Sequence, residues 1–424
     1  MKNNELKKIL ESGGLERYSA LYDNISAQSD RILRALKVFE STFGQDRDIS
    51  VYSTPGRSEI IGNHTDHNGG RAMAGAISRD IIAIAAKNDE GVIRFSSEGF
   101  NKDFVRLSDV KNPEVFKKYT SRALVAGIAA GFINEGYNVS GCDIYLTTEV
   151  PKGSGLSSSA AFEVMIGNIF NHLYNGGKVD NKKIAMIAQY SENEYFGKPC
   201  GLMDQMACAV GGFVYMDFAD KNAARVQPIN FSLSNAGYSL CIVNTGGSHA
   251  NLNDDYAAVP SEMFDVARAF GKERLAGLSE LELMGKAKEI REKAGDRALL
   301  RAIHFVRECE RVDGARDALL SGDINKFLSL IVASGASSFK YLQNSYASSA
   351  PSEQGISLAL AVADGYLTPR GGAFRVHGGG FAGTIQAFVK NGDAAEFAAQ
   401  MDAIFGDGST EILSVRPLGA VRLF

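Results

Sequence analysis

Between residues 143 and 173 the sequence predicts a strand, a tight turn and a helix in direct succession. Apolar residues alternate over 143–150, the periodicity of a β-strand, and recur at helical spacing over 162–173. The connecting segment reads VPKGSGLSSSAA. Gly153 and Gly155 lack a Cβ atom, so the backbone there can bend sharply and approach a ligand closely. The pattern therefore places a turn of glycines and serines at the N-terminus of a helix.

The residues of this turn leave two interpretations open. The first N–H groups of a helix have no intrahelical partner, and the helix dipole favours an anion there. The consecutive hydroxyls of Ser157, Ser158 and Ser159 can bond phosphate oxygens or coordinate a metal. The turn is then a triphosphate-binding loop. Alternatively, it is an ordinary helix start that serine caps after a glycine turn.

Composition narrows the class of protein. With 424 residues the chain is long enough for about two to three domains, and its 45% hydrophobic and 22% charged residues are typical of a soluble globular protein. A formal net charge of −4 argues against a nucleic-acid partner held by bulk charge. No apolar run reaches the length of a membrane span, and the first residues, MKNNELKK, lack the apolar core of a signal peptide.

The five cysteines are scattered and form no C-x-x-C pair, which favours reduced thiols. We therefore expect a cytoplasmic protein without a membrane or nucleic-acid partner. A monomer or weak dimer is a separate expectation, which composition does not decide.

Two domains are expected, 1–215 and 216–424, because a new alternation of strands and helices begins near residue 216. The first is predicted to start with two amphipathic helices and a short strand at 49–52. Residues 54–70, dense in polar residues and glycine, are predicted to form a surface or binding loop. Further strands are predicted at 81–86, 92–96, 213–218, 239–244, 374–377, 384–389 and 414–416, and helices at 121–134, from 180 to about 197, within 261–349 and at 394–405.

The glycine run 378–383 fits the pattern G-x-G-x-x-G, but it is not read as a dinucleotide fingerprint. That fingerprint requires a helix next, whereas 384–389 alternates like a strand. A glycine turn between strands that closes against a ligand fits better, although turn geometry alone also explains the run. No Gly-Lys is followed by Ser or Thr, which excludes a P-loop enzyme.

The polar residues at 63–68 favour a hydrogen-bonding loop over a metal site. His64 and His67 lie three residues apart outside a helix, and no third strong ligand is evident beside Asp66. Asn63, His64, Asp66 and Asn68 instead suit a loop that binds a polyhydroxy compound.

The serine turn suggests a joint function for three charged residues, Asp204, Glu192 and Arg57. Alone, Asp204 could be an acid at a helix N-terminus and Glu192 a solvated side chain. With Arg57 and the turn they supply a phosphate-binding loop, a carboxylate for Mg²⁺, a carboxylate for a hydroxyl and a cation for charge. Phosphoryl transfer needs these parts, because the protein mainly positions the reactants and neutralises charge.

Three glycine-rich stretches resemble the three signatures of the GHMP small-molecule kinases. Residues 150–161 are similar to the phosphate loop of that family, and 378–383 to its C-terminal signature. Residues 56–70, GRSEIIGNHTDHNGG, resemble the more specific signature of galactokinases. The order and spacing of the motifs agree over roughly residues 50–424.

The resemblance implies an α/β (α+β) protein with the two-domain GHMP kinase fold. Its N-terminal half would resemble ribosomal protein S5 domain 2, its C-terminal half would be ferredoxin-like, and the active site would lie in the cleft between them. The implied activity is transfer of phosphate from ATP, with Mg²⁺, to the anomeric hydroxyl of galactose. A GHMP kinase for a related sugar, or an inactive sensor of sugar and ATP, is the alternative.

The resemblance also implies roles for individual residues. Asp204 would face the anomeric hydroxyl as a base or an orienting carboxylate, and Arg57 would stabilise the transferring phosphoryl group and keep Asp204 ionised. Mg²⁺ would bind Ser159 and Glu192. The residues implied for the ATP phosphates are Gly153, Ser154, Gly155, Leu156, Ser157, Ser158 and Ser159. Those implied for the sugar are Asn63, His64, Thr65, Asp66 and Tyr256.

The chain departs from the galactokinase signature at two positions. Galactokinases have Glu where this chain has Asn63, and commonly Tyr where it has His67. The family's Glu contacts a sugar hydroxyl, whereas Asn adds a donor and removes the charge. We therefore expect Asn63 to tune which sugar is used while leaving the transfer of phosphate intact.

Overall fold

The computed structural model describes residues 1–22, 24–151, 155–220, 224–247 and 252–424. Gly153 and Ser154 of the predicted phosphate loop lie outside these ranges. The helices of the first half are α1 (Asn3–Glu11), α2 (Ile25–Phe43), α3 (Ser121–Asn134), α4 (Ser158–Tyr174), α5 (Asn181–Tyr190) and α6 (Met203–Val210). Its strands are β1 (Ile49–Ile61), β2 (Arg71–Lys87), β3 (Val92–Ser97), β4 (Asp103–Arg106), β5 (Cys142–Thr148), β6 (Phe213–Asp217) and β7 (Arg225–Ile229).

The second half is richer in helices. Its helices are α7 (Asn253–Ala269), α8 (Glu280–Gly285), α9 (Ala287–Ala294), α10 (Asp296–Ser321), α11 (Ile324–Ser337), α12 (Gly355–Leu367) and α13 (Ala394–Phe405). Its strands are β8 (Tyr238–Asn244), β9 (Ala373–His377), β10 (Thr384–Lys390), β11 (Thr410–Leu413) and β12 (Val421–Arg422). Across the described ranges, none of the helices combines the length and apolar character needed to cross a bilayer.

The central strands of the first sheet, β1, β2 and β5, are buried on both faces. Its main path runs β12-β1-β2-β5-β3-β4, with β6 pairing to β2 and β7 to β6. Among these described pairs β3–β5 is parallel and the others are antiparallel. On β2, Ile82 and Ile84 pack towards α1 and α2, whereas Ile81 and Ala83 join the core formed with α3–α6. Because successive side chains of a strand point to opposite faces, a strand covered on both sides, such as β2, carries apolar residues on both faces.

The second sheet is antiparallel, in the order β11-β8-β10-β9. Val243 and Ile385 face α12 and α13, while Leu240 and Phe388 belong to the same core as Phe327 of α11 and the helices of the first sheet. The main core therefore runs through both halves. Helices α7–α10 enclose a smaller core of their own.

The chain does not pass from the first sheet to the second at residue 216. Strands β6 and β7 both belong to the first sheet, so the chain passes to the second sheet between Ile229 and Tyr238. Strand β12 then returns to pair with β1, joining Tyr52 to Arg422 and Ser53 to Val421. The division into 1–215 and 216–424 stays a prediction.

The prediction of a loop over 54–70 is wrong for its first part. Strand β1 continues to Ile61 and is buried along its whole length. Its polar residues are paired with distant parts of the chain, as Ser58 is with His377, and this replaces the water that a surface loop would have used. The predicted strand at 414–416 is also misplaced, because β11 ends at Leu413.

Candidate active site

Arg57 of β1 and Asp204 of α6 form a bidentate ion pair. Arg57 Nε lies 2.7 Å from Asp204 Oδ1, and Nη2 lies 2.5 Å from Oδ2. The Asp204 side chain keeps 33% of its surface exposed, so the pair opens onto solvent on its acidic side. Burial alone would raise the pKa of Asp204, but the charge and bonds of Arg57, with a hydroxyl bond from Ser157, hold it below its usual value.

The phosphate loop packs around the same guanidinium. Arg57 donates through Nη1 to the carbonyl of Gly155 at 2.5 Å and through its backbone N–H to the carbonyl of Leu156 at 3.1 Å. Ser157 adopts a left-handed conformation (φ 55°) just before α4 begins. Its hydroxyl donates to Asp204, so the Ser157 side chain does not cap the helix. The interpretation as an ordinary serine-capped helix start is therefore wrong.

A cavity of about 280 Å³ lies in front of this helix N-terminus. It is lined by Arg57, Ser157, Ser158, Ser159, Glu192 and Asp204, together with Lys198 and neighbouring backbone. The structure thus brings together the predicted catalytic pair, the predicted metal ligands and the described part of the phosphate loop. The N–H groups of the first turn of α4, the serine hydroxyls and the two cations can hold a phosphate chain here.

Glu192 lies in a π-helical turn, Ser191–Phe196, that follows α5. It is not solvated, since only 4% of its side chain is exposed. Glu192 Oε2 accepts a bond from Gln205 Nε2 at 2.8 Å, and Oε1 lies 3.6 Å from Lys198 Nζ. Turns of this kind often mark functional sites, because the extra residue redirects a side chain.

Ser159 and Glu192 provide oxygen ligands of the kind that Mg²⁺ prefers, and both reach the same cavity. Within the described ranges, His, Cys, Asp and Glu side chains nowhere gather in a group of three or more that could hold a metal. The two oxygens fit a Mg²⁺ ion that takes its other ligands from substrate phosphates and water, as such ions usually do.

Two residues that sequence reasoning missed support Glu192. Gln205 Nε2 donates to Glu192 and also to Glu163 Oε2 of α4, at 3.1 Å. Burial, together with the charge of Glu192, raises the pKa of Glu163 well above its usual value. The signal that could have revealed Glu163 is an acidic residue on the buried face of an otherwise apolar helix.

The chain turns sharply after β1, within the stretch 56–70 that resembles the galactokinase signature. His64 has φ 56° and its Nε2 lies 2.9 Å from the carbonyl of Gly379 in the third glycine-rich stretch. The hydroxyl of Thr65 is buried and lies within hydrogen-bond distance of two carbonyls, those of Gly62 and Arg71, to which its one O–H can donate, so Thr65 holds the turn together. Asp66 lies beside Gly201, close to Asp204; burial and the charge of Asp204 raise its pKa.

Asn63 is 1% exposed, and its amide is engaged by the protein. Nδ2 donates to Glu59 Oε1 at 3.0 Å and to the carbonyl of Gly378 at 2.6 Å, while Oδ1 accepts from Asn344 Nδ2 at 2.7 Å. Both donors are thus occupied, which runs against the expectation that the Asn63 amide donates to a sugar. Tyr256 packs on Phe381 and donates through its hydroxyl to the carbonyl of Gly380 at 2.7 Å.

A second cavity, of about 520 Å³, adjoins Ser158 and Ser159, and Asp204 does not line it. Phe95, Phe162 and Leu124 contribute apolar walls. Sequence reasoning did not find it, because its walls come from β3, α3 and α4, which are separated in sequence. Its position gives a flat apolar group a place next to the phosphate loop.

Two family models match the chain. Residues 123–212 match the GHMP kinases N terminal domain, and residues 37–87 match the galactokinase galactose-binding signature. The galactokinase of Streptomyces coelicolor is 31% identical over 371 residues, covering 86% of this chain and 89% of its own length. The galactokinase of Pyrococcus furiosus is 34% identical over 273 residues, covering 64% and 72%.

Solved structures show the same fold. The crystal structure of Lactococcus lactis galactokinase complexed with galactose has a TM-score of 0.76 at 23% identity, covering 92% of this chain and all of that one (100%). A mevalonate kinase superposes with a TM-score of 0.60 at 15% identity, covering 87% and 99%. The expected two-domain GHMP kinase fold is thereby confirmed. With sequence relatives of this identity and coverage, the chain belongs to the galactokinase family of the GHMP kinases.

Proposed function

We propose that this protein transfers the γ-phosphoryl group of ATP to the anomeric hydroxyl of galactose, giving galactose 1-phosphate and ADP. The observation that carries the proposal is the bidentate Arg57–Asp204 pair, which faces the same cavity as the described part of the phosphate loop. The pair places a fixed negative charge for a hydroxyl and a fixed positive charge for a phosphoryl group side by side.

In the proposed reaction Asp204 accepts a hydrogen bond from the anomeric hydroxyl and thereby orients the hydroxyl oxygen towards the γ-phosphorus. The bond from that oxygen to phosphorus forms as the bond to the ADP oxygen breaks. A carboxylate whose pKa is held below its usual value is a weak base but a permanent charge. Asp204 therefore mainly orients the hydroxyl, whose proton is released to solvent along the exposed side of the carboxylate as the oxygen–phosphorus bond forms.

Arg57 holds Asp204 ionised and presents its guanidinium to the transferring group. Ser159 and Glu192 would hold Mg²⁺, which when bound neutralises charge on the phosphates. The apolar cavity beside Ser158 would take the adenine ring. His64, Asp66 and Tyr256 remain candidates for the sugar hydroxyls.

The test is ADP release in a coupled assay with ATP, Mg²⁺ and a panel of free sugars, with galactose expected to give the highest kcat/KM. Galactose binding without ADP release for any sugar would overturn the proposal and indicate a sensor. The cytoplasmic location and the monomer or weak dimer stay predictions. The described cysteines are free thiols, as a reducing compartment allows.

A further inference from the structure

Strand β1 carries a carboxylate next to Asn63. Residues 57–59 pair in unbroken register with 76–74 of β2. Because side chains alternate along a strand, Glu59 lies on the same face as Arg57. The signature of this chain therefore keeps an acidic side chain within reach of the turn that begins at Asn63.

One oxygen of Glu59 is fixed by the protein. Oε1 accepts bonds from Asn63 Nδ2 and from Arg375 Nη2, each at 3.0 Å. Arg375 of β9 is fully buried and is itself fixed by the carbonyl of Ile60 at 2.9 Å. This bonding locks the carboxylate in one orientation.

The other oxygen is available. Among the residues that the structure describes, no donor lies within hydrogen-bond distance of Glu59 Oε2, and the side chain keeps 9% of its surface exposed. Each oxygen of an ionised carboxylate can accept hydrogen bonds, and bonds to a charged oxygen are strong. A ligand hydroxyl is therefore well suited to donate to Oε2.

The same contacts explain why position 63 holds an amide. A Glu at 63 would set a second carboxylate against Glu59 with one guanidinium between them, and like charges at contact repel strongly away from water. The carbonyl of Gly378 would also lose its donor. The amide at position 63 is therefore the side chain that suits a carboxylate at position 59.

We propose that Glu59 supplies, from strand β1, the carboxylate that galactokinases carry at position 63, and that its Oε2 accepts a hydrogen bond from a sugar hydroxyl. Glu59 is then a specificity-determining residue and Asn63 positions it. The inference rests on the proposed sugar kinase activity.

The experiment measures kcat/KM for galactose, 2-deoxygalactose and 6-deoxygalactose in wild type, Glu59→Gln, Asn63→Glu and the double variant. In Glu59→Gln, kcat/KM for galactose should fall by about tenfold or more while the value for one deoxy sugar hardly changes, so that their ratio collapses. Asn63→Glu alone should lose activity, and the double variant should recover the wild-type ratio to within about threefold.

Glu308→Gln is the matched control. Glu308 is also a buried carboxylate paired with an arginine, Arg311, but it bonds the backbone of Gly62 from behind the turn. Its neutralisation should change kcat/KM for all the sugars by the same factor. A uniform change in Glu59→Gln as well would overturn the proposal, since it would mean that Glu59 only joins β1 to β9.

Should Glu59→Gln not fold, Glu59→Asp decides the question. It keeps the charge and shortens the side chain by one carbon, so it should collapse the same ratio; unchanged ratios would refute the role of Oε2. If wild type phosphorylates no sugar, it is the proposed function that fails, before any variant is compared.

Discussion

The ring of His377 packs against Gly155: a Cβ atom added at Gly155 would lie 3.2 Å from the Cε1 and Nδ1 atoms of that ring. His377 is held by Ser58 Oγ at 3.0 Å and Thr384 Oγ1 at 2.9 Å. Burial, with the charges of Arg57 and Arg375, lowers its pKa to about 3, so the ring is neutral at physiological pH. The end of strand β9 thus supports the phosphate loop of the first half.

This contact makes Gly155 sensitive to substitution. Its φ of +73° is a left-handed conformation that costs other residues about 1–2 kcal/mol, in addition to the contact with the ring. We expect Gly155→Ala to raise KM for ATP by about five- to thirtyfold. Steady-state kinetics measure the effect. Gly392→Ala, in a turn where an added Cβ meets no atom within 4 Å, is the control, and equal KM values in both variants would contradict the expectation.

Replacement of Asp204 by Asn or of Arg57 by Ala should lower kcat by about 10² or more, with a smaller effect on KM for ATP. Both changes remove a charge positioned at the transferring end of the cavity. Asp217→Asn, which breaks the Arg71–Asp217 contact (3.2 Å) outside the cavity, should stay close to wild type. A sensor would differ, with negligible turnover in wild type and unchanged ligand affinity in both cavity variants.

Glu192→Gln should raise the Mg²⁺ concentration needed for half-maximal activity and remove most of the activity at low Mg²⁺. A hard cation binds a charged oxygen more strongly than an amide. Glu194 lies two residues away in the same turn and its side chain is exposed. Glu194→Gln is therefore the control and should leave the Mg²⁺ dependence unchanged. If Glu192→Gln keeps wild-type turnover at low Mg²⁺, Glu192 is not a metal ligand.

Acid stability should depend on Glu308. Burial alone would raise its pKa, but Arg311, His304 and Arg375 lower it from 4.5 to about 2. A carboxyl group with a lowered pKa in the folded state stabilises fully above its ordinary pKa, and this contribution is lost as the pH falls towards about 2. Urea unfolding at about pH 5.5 and about pH 3 should show a larger loss of unfolding free energy in wild type than in Glu308→Gln. Equal losses would refute this assignment.

Local periodicity predicted much of the fold. The helix expected at 121–134 is α3 residue for residue, and the strand, turn and helix around the phosphate loop appear as β5 and α4. These elements are apolar on the faces that they bury, so a short window of sequence contains the information that shapes them.

The polar part of β1 could not be predicted in this way. Arg57, Ser58 and Glu59 look like loop residues, yet each is buried against a partner more than a hundred residues away. The same holds for Asn63, which the sequence assigns to a sugar and the structure bonds to Asn344. Only the tertiary structure brings such partners together, so the pattern of a short segment cannot predict these contacts.

Strand β12 has a consequence for how the protein is made. It is the outer neighbour of β1, the strand that carries Arg57, yet β12 is synthesised after every other strand that the structure describes, so residues 421 and 422 pair late with Ser53 and Tyr52. Until then β1 is an open edge that can pair with another nascent chain. The strand that carries Arg57 therefore stays open to non-native pairing at Tyr52 and Ser53 until β12 has been synthesised.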